Sequence, residues 1–184
     1  MEVMVTDIPD VLLLRPKIFS DHRGYFCETY SQRQFFEHGL NLDFVQDNEA
    51  FSRQAGVVRG LHFQAPPMAQ TKVVRVLQGA VFDVVVDLRQ NSSTFGKWQG
   101  FILSAENRQQ LLIPKGLAHG YMTMVSDTLF FYKVDTFYSP KHDGGIFWND
   151  PDLGIKWPDL EPILSKKDTH MPLLRDFTSP FFAA

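Results

Sequence analysis

Hydrophobic and polar positions alternate most clearly in the middle of the chain. Phe82, Val84, Val86 and Leu88 share one face of an extended run while Asp83, Val85 and Asp87 take the other, which predicts a half-buried strand. Residues 73–77 form a second β-rich run, and Gln78-Gly79 supplies a turn between the two. Similar runs at residues 111–113, 121–125 and 129–134 are separated by Pro114, Gly116, Ser126 and Asp127. Many short strands at close spacing predict an antiparallel β domain, as a sandwich or barrel. One short helix is expected near the front, with Ser31 as its cap, Gln34 at capping-box spacing, and Gly39 as a stop after Phe35 and Phe36. Beyond Tyr138, the prolines at Pro140, Pro151, Pro158, Pro162 and Pro172 predict irregular connections. With no repeat, low-complexity tract or long linker, residues 1–184 read as one domain.

Composition narrows the function. A chain of 184 residues with 44% hydrophobic content can bury a substantial core. The formal charge of -3 argues against a general nucleic-acid binder, although a local basic pocket for a diphosphate is compatible with it. Cys27 is the sole cysteine, so no intramolecular disulfide framework can form, which suits a reducing compartment. It lies between Phe26 and Glu28 with no base nearby in sequence, a poor setting for a catalytic thiol. The opening Met1-Glu2-Val3-Met4 lacks a basic region followed by a long apolar stretch, and no later run is long enough to span a bilayer. The expectation is a cytoplasmic protein with no membrane partner.

The chemistry begins at Arg59-Gly60-Leu61-His62-Phe63-Gln64, with Lys72 ten positions after the histidine and Tyr132 in a strand-like run. A base, a cation and a phenol suggest proton chemistry beside a carbonyl. Taken singly each has a plain structural role: a packed histidine, an exposed strand lysine, a core tyrosine with its hydroxyl at the rim. Three positions separate Arg59 from His62, so a regular strand would face them in opposite directions; a bulge at Gly60 would turn both toward one pocket. No His-x-His occurs, and the residue two after His62 is Gln64, so no metal site is expected.

A series of short segments runs in order along the chain. It includes residues 21–26 (Asp-His-Arg-Gly-Tyr-Phe), 45–48 (Val-Gln-Asp-Asn), Leu61-His62, 81–84 (Val-Phe-Asp-Val), 94–98 (Thr-Phe-Gly-Lys-Trp), 103–107 (Leu-Ser-Ala-Glu-Asn), 148–151 (Trp-Asn-Asp-Pro) and 164–168 (Leu-Ser-Lys-Lys-Asp). Together they resemble the dTDP-4-dehydrorhamnose 3,5-epimerases, which invert two stereocentres of a nucleotide-linked keto sugar. The resemblance implies a double-stranded β-helix, or cupin jelly roll, with short peripheral helices, needing no cofactor. It implies His62 as base with Asp168 as its carboxylate partner, Lys72 as oxyanion stabiliser and Tyr132 as proton donor. Arg59 would hold diphosphate; Arg23, Phe26, Glu28, Gln46 and Asn48 would bind the nucleotide portion; Tyr138 would stack on thymine. His119, Asp143 and Lys167 match further substrate contacts, with aspartate at 143 where the family commonly has the longer glutamate. The resemblance also implies a homodimer in which an N-terminal strand carrying Arg23 and Glu28 reaches the neighbouring site. Inversion of a single centre, a metal-dependent cupin and a non-catalytic nucleotide-sugar-binding module stand as alternatives.

Overall fold

The computed structural model describes residues 1–183. Its strands are β1 (Glu2–Val5), β2 (Leu12–Arg15), β3 (Ile18–Asp21), β4 (Gly24–Cys27), β5 (Gln46–Ser52), β6 (Val58–Gln64), β7 (Lys72–Gln78), β8 (Ala80–Asp87), β9 (Trp98–Ser104), β10 (Gln110–Ile113), β11 (Leu117–Thr123), β12 (Thr128–Val134) and β13 (Asp143–Gly145). Among the described residues a single α-helix, α1 (Gln32–Glu37), lies between β4 and β5. The strands build a six-stranded sheet ordered β1-β2-β10-β7-β12-β5, a five-stranded sheet ordered β13-β6-β11-β8-β9, and a hairpin of β3 and β4. From β5 to β13 the chain crosses to the opposite sheet at every connection but β8 to β9, and all the strand pairs are antiparallel. This crossing winds the chain into the double-stranded β-helix, or jelly roll.

The sheets bury a shared core. Val74, Val76, Leu111, Ile113 and Phe130 from the six-stranded sheet meet Val81, Val85, Leu103, Leu117 and Tyr121 from the other. Both outer faces are covered as well. Phe35 of α1 is fully buried against the six-stranded sheet, with Tyr30 and Phe44 meeting it edge to face. Leu174, Phe177 and Phe181 from the C-terminal segment pack on Val84, Val86 and Leu88. That cover corrects one expectation: β8 alternates as the sequence predicts, but both of its faces are buried rather than one.

The helix starts where expected without the expected cap. Ser31 makes no side-chain cap bond, and Gln34 is drawn away, accepting from the Met1 ammonium at 3.3 Å and donating to Glu28 at 3.3 Å. Its end follows the expectation. Gly39 takes a φ of +76°, and the Leu40 N–H turns back to the Phe35 carbonyl at 2.9 Å. The chain after Tyr138 is largely irregular, broken by 3₁₀ turns at Asp168–His170 and Leu174–Asp176.

Candidate active site

Register decides which side chains meet. Residues directly opposite one another on paired strands project from the same face. Tyr132 is opposite Asn48 on one side and Val74 on the other, while Val134 is opposite Gln46 and Lys72. Gln46, Asn48, Tyr132 and Lys72 therefore all point inward. Along β5 the burial alternates accordingly, with Asp47, Glu49 and Phe51 turned outward.

Across the interior, His62 is opposite His119, and Arg59 is opposite Tyr121. Three residue steps on β6 thus face two on β11, which is the extra residue of a bulge, and it brings Arg59 and His62 to one cleft. Gly60 is required there: its φ is +137°, and a Cβ would come within 2.5 Å of the Gly120 Cα. The cleft has a volume of about 430 Å³ and is lined by Arg59, His62, Lys72, His119, Tyr132 and Asp168 among others. Tyr121 and Phe130 belong both to its lining and to the core, so the packed interior forms its floor.

Asp168 arrives from 106 positions further along the chain. The segment that carries it is stitched to the start of β6: the Val58 N–H donates to the Ile163 carbonyl at 2.9 Å, and the Ile163 N–H donates to Gly56 at 2.8 Å. Asp168 Oδ1 then lies 2.5 Å from His62 Nε2, while Oδ2 accepts the Ser165 hydroxyl at 2.6 Å. Burial opposes the Asp168 charge, but these bonds outweigh it and hold the carboxyl below its usual range. A carboxylate fixed at Nε2 leaves Nδ1 of His62 to exchange a proton. Half-buried Lys72 is pushed down to about 8, chiefly by burial, against the pull of Asp143 and Asp83. Burial also raises the Tyr132 phenol, with Arg59 opposing and Asp143 adding, so the group stays protonated and able to donate.

Other sequence-predicted residues are joined by hydrogen bonds outside the cleft lining. Gln46 accepts from the Tyr138 N–H at 3.1 Å and donates to Asn48 at 2.8 Å. Tyr138 is 55% exposed, so its ring is open to a stacking partner. Asp143 accepts from the Tyr138 hydroxyl at 3.0 Å and from Lys167 at 2.5 Å. Its carboxylate is thus engaged by protein groups.

Arg23, Phe26 and Glu28 are not brought to this cleft. Arg23 is exposed beside Asp21, at 2.6 Å, and Phe26 is 65% exposed on the β3–β4 hairpin, next to a separate hollow bordered by Phe19 and Tyr25. Glu28 is exposed just beyond that hairpin.

Sequence reasoning missed Asp83 as a site residue. Its carboxylate is fully buried, 3.0 and 2.9 Å from His119 Nε2. Alternation set Asp83 on the face opposite Phe82, Val84 and Val86, whereas the structure turns that face inward with Val81 and Val85, where a buried acid needs a partner. Tyr121 was missed too; its hydroxyl is buried without a hydrogen-bond partner among the described residues. Among those residues, no group of three histidine, cysteine or acidic side chains is arranged to hold a metal ion.

The family model for dTDP-4-dehydrorhamnose 3,5-epimerase matches residues 5–176. The dTDP-4-dehydrorhamnose 3,5-epimerase of Salmonella typhimurium is 52% identical over 176 residues, covering 95% of this chain and 96% of that one. The crystal structure of the Bacillus anthracis enzyme of that name, with TDP and PPi bound, superposes with a TM-score of 0.92 at 52% identity, covering 94% of this chain and 99% of the other. A Legionella pneumophila dTDP-6-deoxy-D-glucose-3,5-epimerase in complex with dTDP-4-keto-L-rhamnose gives 0.94 at 42% identity, covering 100% and 99%. Identity of this extent, along nearly the whole length of each chain, accompanies the shared fold: the chain belongs to the dTDP-4-dehydrorhamnose 3,5-epimerase family.

Proposed function

We propose that the protein converts dTDP-4-dehydro-6-deoxy-D-glucose to dTDP-4-dehydro-L-rhamnose by inverting C3 and C5, a step of dTDP-L-rhamnose synthesis. The observation that carries this reading is the His62–Asp168 pair sharing one cleft with Lys72 and Tyr132. A carbon beside a ketone gives up its proton when the electron pair can pass into the carbonyl and the resulting oxyanion is held. His62 takes the proton at Nδ1, and Asp168 stabilises the imidazolium from Nε2. Lys72 holds the enolate oxygen. Tyr132 then gives its proton to the same carbon from the opposite face, and solvent restores the imidazole and the phenol. The sequence repeats at the second carbon flanking the ketone.

Arg59 suits the diphosphate because its planar fork matches phosphate oxygens. Gln46, Asn48, Lys167 and the exposed ring of Tyr138 suit the nucleotide and sugar, and His119 suits the sugar within the cleft. Asp143 acts here through its bonds to Tyr138 and Lys167. Arg23, Phe26 and Glu28 fit a homodimer whose hairpin enters the neighbour's cleft; the exposed Phe19, Tyr25 and Phe26 rings support that assembly. The single cysteine suits a cytoplasmic setting, and among the described residues no helix is long and apolar enough to cross a membrane.

Incubation with the keto sugar nucleotide in deuterated water tests the reading. Deuterium at both C3 and C5 with inverted configuration is expected. Label at one centre alone would make the protein a single-centre epimerase, and binding without exchange would make it a binding module.

A further inference from the structure

Asp83 cannot serve as an ordinary substrate contact, because its side chain is fully buried behind the cleft. Nor is it a stray core acid: both of its oxygens lie within 3.0 Å of His119 Nε2. The His119 ring is fixed from other directions as well. Phe130 stacks on it with ring centroids 6.1 Å apart, and Phe130 stacks in turn on Tyr121 at 4.1 Å. Within this packing the ring's other nitrogen, Nδ1, has no protein partner among the described residues, although His119 lines the cleft. Asp83 and Lys72 also act on one another electrostatically, and Lys72 lines the same cleft.

We propose that Asp83 is a positioning residue: as a carboxylate it fixes His119 with the proton on Nε2, offering Nδ1 to a sugar hydroxyl, and it sustains the positive charge of Lys72 at the ketone oxygen. The inference rests on the epimerase reading above. Its logic is that of a group behind a contacting group, which sets a histidine tautomer and a neighbour's charge without touching substrate. Burial alone would drive Asp83 toward its neutral form, and His119 and Lys72 pull it back. Lys72 is displaced by burial and answered by Asp143 and Asp83, with Lys167 opposing them. The other titratable groups around the cluster are Arg59 and His62 on β6, Tyr121 on β11, Tyr132 on β12 and Asp168 in the first 3₁₀ turn. Of all these, Asp83 is the anion with a direct contact to His119.

The test is steady-state turnover of the keto sugar nucleotide by the parent and Asp83→Asn across neutral to alkaline pH. Removing the negative charge makes the Lys72 ammonium easier to deprotonate. The alkaline limb of kcat/KM, which reports the free enzyme and is expected near 8 in the parent, should therefore move to lower pH in the variant. At neutral pH kcat should fall by roughly tenfold to 10²-fold, within the range of weakening an oxyanion donor, while KM changes little. A residue serving only the fold would lower the amount of active protein and leave the limb in place, and that result overturns the proposal. If Asp83→Asn does not fold, ¹⁵N-histidine NMR of the parent decides: His119 should carry its proton on Nε2 at neutral pH. An unprotonated Nε2, meaning that Asp83 holds the proton, overturns the proposal. Absence of turnover in the parent would instead refute the epimerase reading, and the NMR result would still judge the His119–Asp83 pair.

Discussion

His62 and His119 are register partners on adjacent strands, and each sets Nε2 against a carboxylate, at 2.5 Å for Asp168 and 2.9 Å for Asp83. Their surroundings differ. The His62 side chain is 29% exposed and its carboxylate partner 3%, whereas His119 and Asp83 are 8% and 0% exposed. Asp168 also accepts the Ser165 hydroxyl and lies below the usual carboxyl range, while burial pushes Asp83 above it. Two pairs with the same atoms are thus suited to different work. A base must gain and lose a proton against solvent and substrate, which the open pair permits; a buried, stacked ring is better suited to holding a fixed donor and acceptor pattern.

The largest contrast should come from the histidines. His62→Asn should lower both inversion and solvent-hydrogen exchange by about 10²- to 10⁴-fold, the usual worth of a positioned general base. His119→Asn should reduce turnover less and leave measurable exchange into substrate, because the base is still present. Equal loss of exchange in the two variants, followed by deuterium incorporation, would erase the distinction between the pairs.

Asp168→Asn should have the next largest effect, about 10²-fold on kcat, since it removes the charge that stabilises protonated His62 but keeps a group of similar shape. KM should change much less. Equal turnover in variant and parent would remove Asp168 from the proton-transfer unit. Tyr132→Phe acts on the other face. There the informative quantity is the ratio of exchange to inversion: His62 can still remove a proton and return deuterium to the original face, so the ratio should rise. A tyrosine serving only packing would lower both rates together and leave the ratio unchanged.

The two pairs also differ in how far they can be read from sequence. Asp83 shares a face with Val85 and Asp87, opposite the apolar Phe82, Val84 and Val86, so a half-buried strand would turn it to solvent; the structure turns that face inward, and its partner is 36 positions away, where alternation identifies no cross-strand neighbour. Asp168 lies in irregular chain, and only its place in the resemblance pointed to His62. The β7, β10 and β12 strands are legible because their inward faces are mostly apolar, and β8 because its outward face, Phe82, Val84 and Val86, is apolar beneath the C-terminal segment. In β5, the inward face begins Gln46, Asn48, Ala50, so polar residues stand where a pattern reader seeks core. β11 is buried throughout and shows no alternation of burial. The bulge at Gly60 was readable from the three-residue offset between Arg59 and His62, given that both face one pocket. The helix cap failed for a tertiary reason, because the Gln34 side chain found Met1 and Glu28 instead.

The smallest expected effect is on stability, where the pairs should respond to pH in opposite senses. Asp168 has a depressed folded-state pKa, so its charge stabilises the fold above the unfolded value of about 3.9, and this contribution is lost as pH falls through the folded value. Asp83 has a raised folded-state pKa, so the fold binds its proton more readily than the unfolded chain does. Its contribution becomes less favourable as pH rises above about 3.9 and stops changing once the pH exceeds the folded value. Asp168→Asn should therefore cost about 1.5 to 3 kcal/mol near neutral pH, the worth of hydrogen bonds to a charged group, and the difference in Tm from the parent should shrink on acidification. For Asp83→Asn the sign of the trend reverses: relative to the parent, the variant should gain Tm as pH rises from acid toward neutral. Thermal melts of the three proteins over that range check both slopes. Parallel slopes for the two variants would mean that the carboxylates share one electrostatic environment, and the division between an open catalytic pair and a closed positioning pair would fail.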